Sequence, residues 1–197
     1  MKEIKTSDIN IININNDIRL LLKNKNDISL KAWSFLYDIL QKYNINLLKE
    51  QIVFNEFGKP YLKTKKIYFN ISHSKNLIAI IISDKECAID IQYVDNKKEH
   101  DKYINKILSD NEKVIYNTHL DKISYFYELW TKKETYYKYL GTGINISDLS
   151  KIKNYEGIET KEIHHLNDKY FLSFKWCKTF YFLNRVWYNI IVKIVKE

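Results

Sequence analysis

Glycine, proline, cysteine and arginine are all scarce in this chain of 197 residues. It has four glycines, one proline and two cysteines. So little Gly and Pro excludes a flexible or Pro-rich linker, a collagen-like repeat and a glycine-rich nucleotide loop. Cys87 and Cys177 lie far apart in apolar contexts, and they make neither a disulfide framework nor a metal-binding spacing. The longest purely apolar run, Leu77 to Ile82, is far short of the ~20 residues a membrane helix needs. The opening stretch, MKEIKTSDINI, has no apolar segment of the signal-peptide kind. A soluble cytoplasmic protein with no membrane partner is expected.

The shortage of arginine also qualifies the charge. The net charge is +8, which suggests an anionic partner. Yet only Arg19 and Arg185 are arginines among 32 basic residues. Ile, Asn and Lys fill 80 of the 197 positions, a skew that nucleotide bias in a genome produces without selection for binding. Nucleic-acid readers favour Arg for bidentate contacts, so no nucleic-acid partner is expected. A discrete phosphate site fits this background better.

What is present is core-forming material. Hydrophobic residues make up 45% and aromatics 15%, enough for one compact unit or two small halves sharing a core. Leu30, Trp33, Leu36, Tyr37 and Leu40 recur at helical spacing, which predicts a helix over 27–43 with Asp27 as its N-cap. Gln51 to Phe57 reads as a strand that breaks at Gly58-Lys59-Pro60. Leu77 to Ser83 reads as a buried strand, and Cys87 to Tyr93 as another. The polar stretch 95–101 reads as a junction, dividing the chain into halves 1–95 and 96–197. Helices are predicted over 103–116 and 123–140, the second closed by Gly141 in a left-handed cap. Short strands follow through Phe171 to Phe174 and Val186 to Val195. Helix then strands in each half gives an α+β fold with the form of a duplication, although no residue-level repeat is seen.

Four stretches carry the chemistry: FGKPYL from Phe57, FNISHS from Phe69, AIDIQ from Ala88 and LWTKKETYYKYLGTG from Leu129. Strand alternation sets Asp90 and Gln92 on one face, opposite Cys87, Ile89 and Ile91. A carboxylate inside Ile-Asp-Ile is costly unless it is paired, hydrated or metal-bound; a solvated outer face is the plainer alternative. Glu134 and Lys138 share a helix face, with Trp130 one turn earlier and Lys133 beside it. That spacing commonly means a salt bridge. It also suits a carboxylate facing a cation and an amine facing a phosphate, and Mg²⁺ prefers one or two carboxylates plus waters and phosphate oxygens. His73 is expected in a polar turn, where Ser72, Ser74 and Asn70 would complete an anion-binding corner.

In order and spacing, these stretches resemble the 4′-phosphopantetheinyl transferases, specifically the longer pseudo-dimeric type that activates surfactin synthetase. That pattern runs G-K-P, F-N-x-S-H-S, G-x-D-x-E and W-x-x-K-E-x-x-x-K ending near G-x-G. Here it reads Gly58-Lys59-Pro60, Phe69 to Ser74, Ala88-Ile89-Asp90-Ile91-Gln92, and Trp130 to Lys138 with Gly141 and Gly143. The resemblance covers residues 27 to 145 well. It implies two similar halves, each a helix on a small antiparallel sheet, in one compact monomer. It implies transfer of 4′-phosphopantetheine from coenzyme A to a serine of an apo acyl or peptidyl carrier protein, with adenosine 3′,5′-bisphosphate released. It implies Mg²⁺ held by Asp90 and Glu134, with Gln92 at the place of the family's second strand acid. Asp90, Glu134 and Lys138 would be the catalytic set, with Glu134 as base and Lys138 steadying the diphosphate. Lys59, Ser72, His73 and Lys133 would help hold coenzyme A. Lys31 is the candidate for an N-terminal basic contact, ahead of Lys23 and Lys25. The departure at Gln92 removes one negative charge and supports one alternative, a homologue that binds carrier protein or coenzyme A without transfer.

Overall fold

A computed structural model describes residues 27–42, 45, 52–64, 67–96, 100–176 and 188–194, the last by backbone alone. Helix α1 spans Asp27–Lys42. Its apolar stripe buries Ala32, Trp33, Phe35, Leu36, Ile39 and Leu40. Strands β1 (Ile52–Phe54) and β2 (Pro60–Leu62) form a hairpin around the Gly-Lys-Pro turn. Then come β3 (Tyr68–Ser74), β4 (Leu77–Ser83) and β5 (Cys87–Tyr93). Helices α2 (Asp101–Ile107), α3 (Asp110–Thr118) and α4 (Lys122–Leu140) follow, and then a 3-10 turn at Ile146–Lys151. Strands β6 (Ile158–His165), β7 (Asp168–Trp176) and β8 (Tyr188–Ile194) complete the order.

The apolar run of β4 is continuous because both its faces are covered. Ile78, Ile80 and Ile82 pack with Phe69 under α1. Leu77, Ala79 and Ile81 pack with Cys87, Ile89 and Ile91 of β5 and with Tyr170, Leu172 and Phe174 of β7. Burial pushes the Cys87 thiol up to about 12, which leaves it inert at neutral pH. The opposite face of β5 carries Asp90, and α4 lies over it.

The two three-stranded antiparallel sheets run β3-β4-β8 and β5-β7-β6. They do not respect a division at residue 95. Strand β5, from the first half, pairs with β7, and β8, from the second half, pairs with β4.

Two further expectations need correction. His73 lies inside β3, paired with Ile78, and the turn falls at Lys75-Asn76, where Lys75 has φ +49°. The predicted helix over 103–116 is two helices. Ser109 restarts the chain because the Glu112 carboxylate accepts its backbone N–H at 2.7 Å, as in a capping box. Gly141 behaves as predicted: it closes α4 at φ +71°, and its N–H donates to the Tyr137 carbonyl. Cys177, Lys23 and Lys25 lie outside the described residues.

Candidate active site

The site forms where β3, β5 and the last turns of α4 meet. Asp90 is 1% exposed. The Lys138 amine donates to its Oδ1 at 2.6 Å, and the Ser72 hydroxyl donates to the same oxygen at 2.8 Å. Lys138 also donates to Ser72 Oγ at 3.0 Å. An ammonium has three N–H donors, so Lys138 keeps one for another acceptor. The i,i+4 spacing of Glu134 and Lys138 thus aims two side chains at one strand residue, and Lys138 bonds to Asp90. On the other side, Trp130 Nε1 donates to Glu134 Oε1 at 2.6 Å and fixes that carboxyl.

Burial, and then the charge of Asp90, push the Glu134 carboxyl up to about 7, against the opposing pull of Lys138 and Trp130. The Asp90 Oδ2 atom is buried without a hydrogen-bond partner. Two crowded carboxyls, one with an unpartnered oxygen, are what a divalent cation would relieve. Among the described residues no group of three or more His, Cys, Asp or Glu could hold a metal. Two carboxylates are nevertheless sufficient for Mg²⁺ that keeps waters and phosphate oxygens. Gln92 shares the Asp90 face by alternation.

A cleft of about 530 Å³ at the end of α4 is lined by Lys59, Tyr61, Tyr68, Glu86, Tyr139 and Gly141, among others, and not by Asp90, Glu134 or Lys138. Lys59 donates to Glu86 at 2.5 Å and to the Tyr139 carbonyl at 3.3 Å, so its amine sits beside the end of α4. Asn55 builds this corner. Its Oδ1 accepts the N–H groups of Phe57 and Lys59, and its Nδ2 donates to the Gly141 carbonyl at 2.6 Å. A Cβ on Gly141 would meet Asn55 Nδ2 at 3.1 Å and Lys59 Cδ at 3.2 Å, and one on Gly143 would meet the Phe57 ring at 3.4 Å. The two Gly/Pro clusters, some eighty residues apart in sequence, are therefore one joint. Sequence reasoning passed over Asn55 and Glu86; an Asn opening a turn before Gly was the available signal for Asn55.

The structure separates several residues that were grouped. Ser72 faces Asp90, but His73 is on the other face of β3, where its Nε2 lies 3.2 Å from Ser29 Oγ of α1. Lys31 is two residues beyond Ser29, a spacing that puts it on a different side of α1. Asn70 is tied to β5: its Oδ1 accepts the Ile89 N–H at 3.0 Å.

Lys133 is not at the site at all. It is fully buried, and its three donors reach Ile107 O at 2.5 Å, Glu112 Oε2 at 2.7 Å and Leu149 O at 3.0 Å. Burial pulls its pKa down despite the carboxylate partner. Burial also presses Glu112 up, but Lys133, Tyr155 and the Ser109 N–H together hold it below its usual range. The neighbour of Lys133 in sequence, Glu134, lies about 100° away around the helix, which explains why one faces the site and the other the core.

Comparison with known proteins then decides the family. The model of the 4′-phosphopantetheinyl transferase superfamily matches residues 86–183. The chain belongs to that superfamily. Among curated relatives of this superfamily member, the 4′-phosphopantetheinyl transferase gsp of Aneurinibacillus migulanus is 32% identical over 148 residues, 74% of this chain and 57% of the relative. A 4′-phosphopantetheinyl transferase of Bacillus subtilis is 33% identical over 94 residues, 46% of this chain and 41% of its own length. The L-aminoadipate-semialdehyde dehydrogenase-phosphopantetheinyl transferase of Candida glabrata is 33% identical over 120 residues, 54% of this chain and 46% of its own. The chain thus spans about half the length of the curated relatives it matches. The mixed fold of helices and small antiparallel sheets suits the superfamily. No helix among the described residues is long and apolar enough to cross a membrane.

Proposed function

We propose that this superfamily member transfers 4′-phosphopantetheine from coenzyme A to a serine of an apo carrier protein. The observation that carries the proposal is the convergence of Asp90, Glu134 and Lys138 on one point, with an unpartnered Asp90 oxygen and a spare Lys138 donor. Asp90 and Glu134 would hold Mg²⁺, with water or Gln92 completing the set. When bound, that ion would offset the diphosphate charge and keep Glu134 in its carboxylate form.

Glu134 accepts the proton of the carrier serine, directly or through water, and Trp130 holds its carboxyl in place for that task. The serine oxygen forms a new bond to the phosphorus that bears the pantetheine arm. The diphosphate P–O bond breaks, and adenosine 3′,5′-bisphosphate leaves with the electron pair. Lys138, pinned by Asp90 and Ser72, directs its third N–H to the charge growing on the leaving oxygen. Lys59 takes phosphate charge from the cleft side, where Glu86 and the Tyr139 carbonyl hold it. His73 stands on the far face of β3 as an outer phosphate contact.

Each sheet carries one long helix, α1 or α4, which supports two similar halves within a single chain; the accompanying reading is a pseudo-dimeric monomer in the cytoplasm. The Lys-rich surface suits an acidic carrier.

The test is to incubate the protein with coenzyme A, Mg²⁺ and several apo carriers, then weigh the carriers. A mass gain of one phosphopantetheine, abolished by Glu134→Gln, is expected. No gain on any carrier sinks the proposal in favour of a non-catalytic homologue.

A further inference from the structure

We infer that Asn70, Ser72 and Ser74 form a side-chain ladder that laces the two sheets together, and that its central rung, Ser72, is a positioning residue for Asp90. Among the described residues, strands β3 and β5 are both edge strands, one in each sheet, and they share no backbone pairing. An edge strand presents a row of amides that need partners. On β5 these are the N–H groups of Ile89, Ile91 and Tyr93. Asn70 Oδ1 accepts the first at 3.0 Å, Ser72 Oγ the second at 3.3 Å and Ser74 Oγ the third at 2.8 Å. The acceptors stand at every second residue of β3, so they share one face and match the period of the β5 amides. Beyond the last rung, Lys75 closes the seam. It bonds Asp168 at 2.7 Å, and its amine lies 4.2 Å from the Tyr93 ring centre.

The central rung does more than satisfy an amide. A serine hydroxyl offers one donor and two acceptor positions. Ser72 accepts from Ile91 N–H and from Lys138, and it donates to Asp90 Oδ1. All three positions are filled, so this hydroxyl has nothing left for a coenzyme A phosphate, the role expected from sequence. Instead it fixes which Asp90 oxygen is engaged. Oδ1 receives both Ser72 and Lys138, and Oδ2 receives neither. The seam between the sheets thereby sets the aim of the carboxylate at the site.

The metal arm of the test rests on the transferase proposal; the exchange arm does not. Amide hydrogen exchange is measured on the full chain, together with coenzyme A binding without metal and Mn²⁺ binding alone. In the wild type, the Ile89, Ile91 and Tyr93 amides should be protected like ladder amides. Ser72→Ala should speed exchange at Ile91 by about tenfold or more and weaken Mn²⁺ half-saturation by about tenfold, the loss of one charge-assisted hydrogen bond. It should leave metal-free coenzyme A affinity within about twofold. Ser72→Thr, which keeps the hydroxyl, should restore exchange protection. Fast wild-type exchange at these three amides overturns the ladder, even if Ser72→Ala does not fold. Lost coenzyme A affinity with unchanged Mn²⁺ binding overturns the positioning role and returns Ser72 to phosphate binding. A wild type that modifies no carrier removes the transferase proposal alone, and exchange at Ile91 still decides the ladder.

Discussion

Replacing Lys133 with methionine should weaken the fold and spare the chemistry. The Lys133 amine is enclosed by Ile107 O, Glu112 Oε2 and Leu149 O, so it ties α4 to the end of α2, the start of α3 and the 3-10 turn. Methionine fills most of the volume and removes all three bonds. Breaking a buried ion pair from one side costs about 3–5 kcal/mol, because the remaining charge is stranded. Glu112 keeps its bonds from Ser109 N and the Tyr155 hydroxyl, which places the cost near the lower end, about 3 kcal/mol. For a chain of this size that is roughly a 6–12 °C drop in Tm. Adding Glu112→Gln to Lys133→Met removes the stranded charge and should recover about 2 kcal/mol, a coupling expected of residues in contact. Urea and thermal unfolding of the wild type, both single variants and the double variant measure this. Carrier modification, assayed well below the lowest Tm, should keep its kcat and coenzyme A KM within about twofold, since Lys133 touches no reacting group. A single-variant cost under about 1 kcal/mol, or a double variant no better than Lys133→Met, would refute the buried-pair argument. A hundredfold loss of turnover at unchanged stability would put Lys133 back at the site.

Other expected outcomes can be checked separately. In metal-free protein the Glu134 carboxyl is raised to about 7 from 4.5, so the folded state holds an extra proton between those values. Stability should therefore be highest on the acid side of that window and fall as pH rises from about 4.5 to about 7. Glu134→Gln should flatten that dependence in urea titrations at several pH values, and an unchanged slope would remove Glu134 as its source. Gly141→Ala places a side chain at φ +71° against Asn55 and Lys59, which should cost about 1–2 kcal/mol and raise the coenzyme A KM. Gly157→Ala at φ +72°, with only the Lys175 side chain within reach, should show the stability loss without the KM change. Gln92→Glu adds a charge next to Asp90 and should lower the Mg²⁺ concentration for half-maximal transfer; an unchanged titration would show that Gln92 stands away from the ion.

Helices α1 and α4 and the buried strands β4 and β5 were legible because their signals are local. The apolar spacing of α1, the isoleucine run of β4 and the glycine after α4 each state their own conformation within a few residues. Asp90 was legible as a candidate because a carboxylate between two isoleucines is locally expensive, and Glu134 because it shares a helix face with Lys138. Lys133 misled because its neighbours in sequence face the site, and only the packing of α2 and the 3-10 turn reveals that it does not. The partners of Ser72 were hidden for a related reason. The hydroxyl could be read as free until the edge of β5, 19 residues onward, was seen to occupy it. The strand exchange was hidden as well, since alternation shows that a strand has two faces without saying which sheet it joins.

The exchange of β5 and β8 also bears on when this chain can fold. Residues Ile81 and Ile190 are register partners about 110 positions apart. While the chain is being synthesised, β4 must wait for the last described strand before its open side is covered. Until then a strand of unbroken apolar character stands bare along one border, open to the wrong neighbour. Such a long-range closure is entropically late and slows the final assembly. A ribosome stalled shortly before Tyr188 would therefore display a sticky, unfinished sheet, and a synthetic peptide covering 188–194 would be the natural agent to cap it.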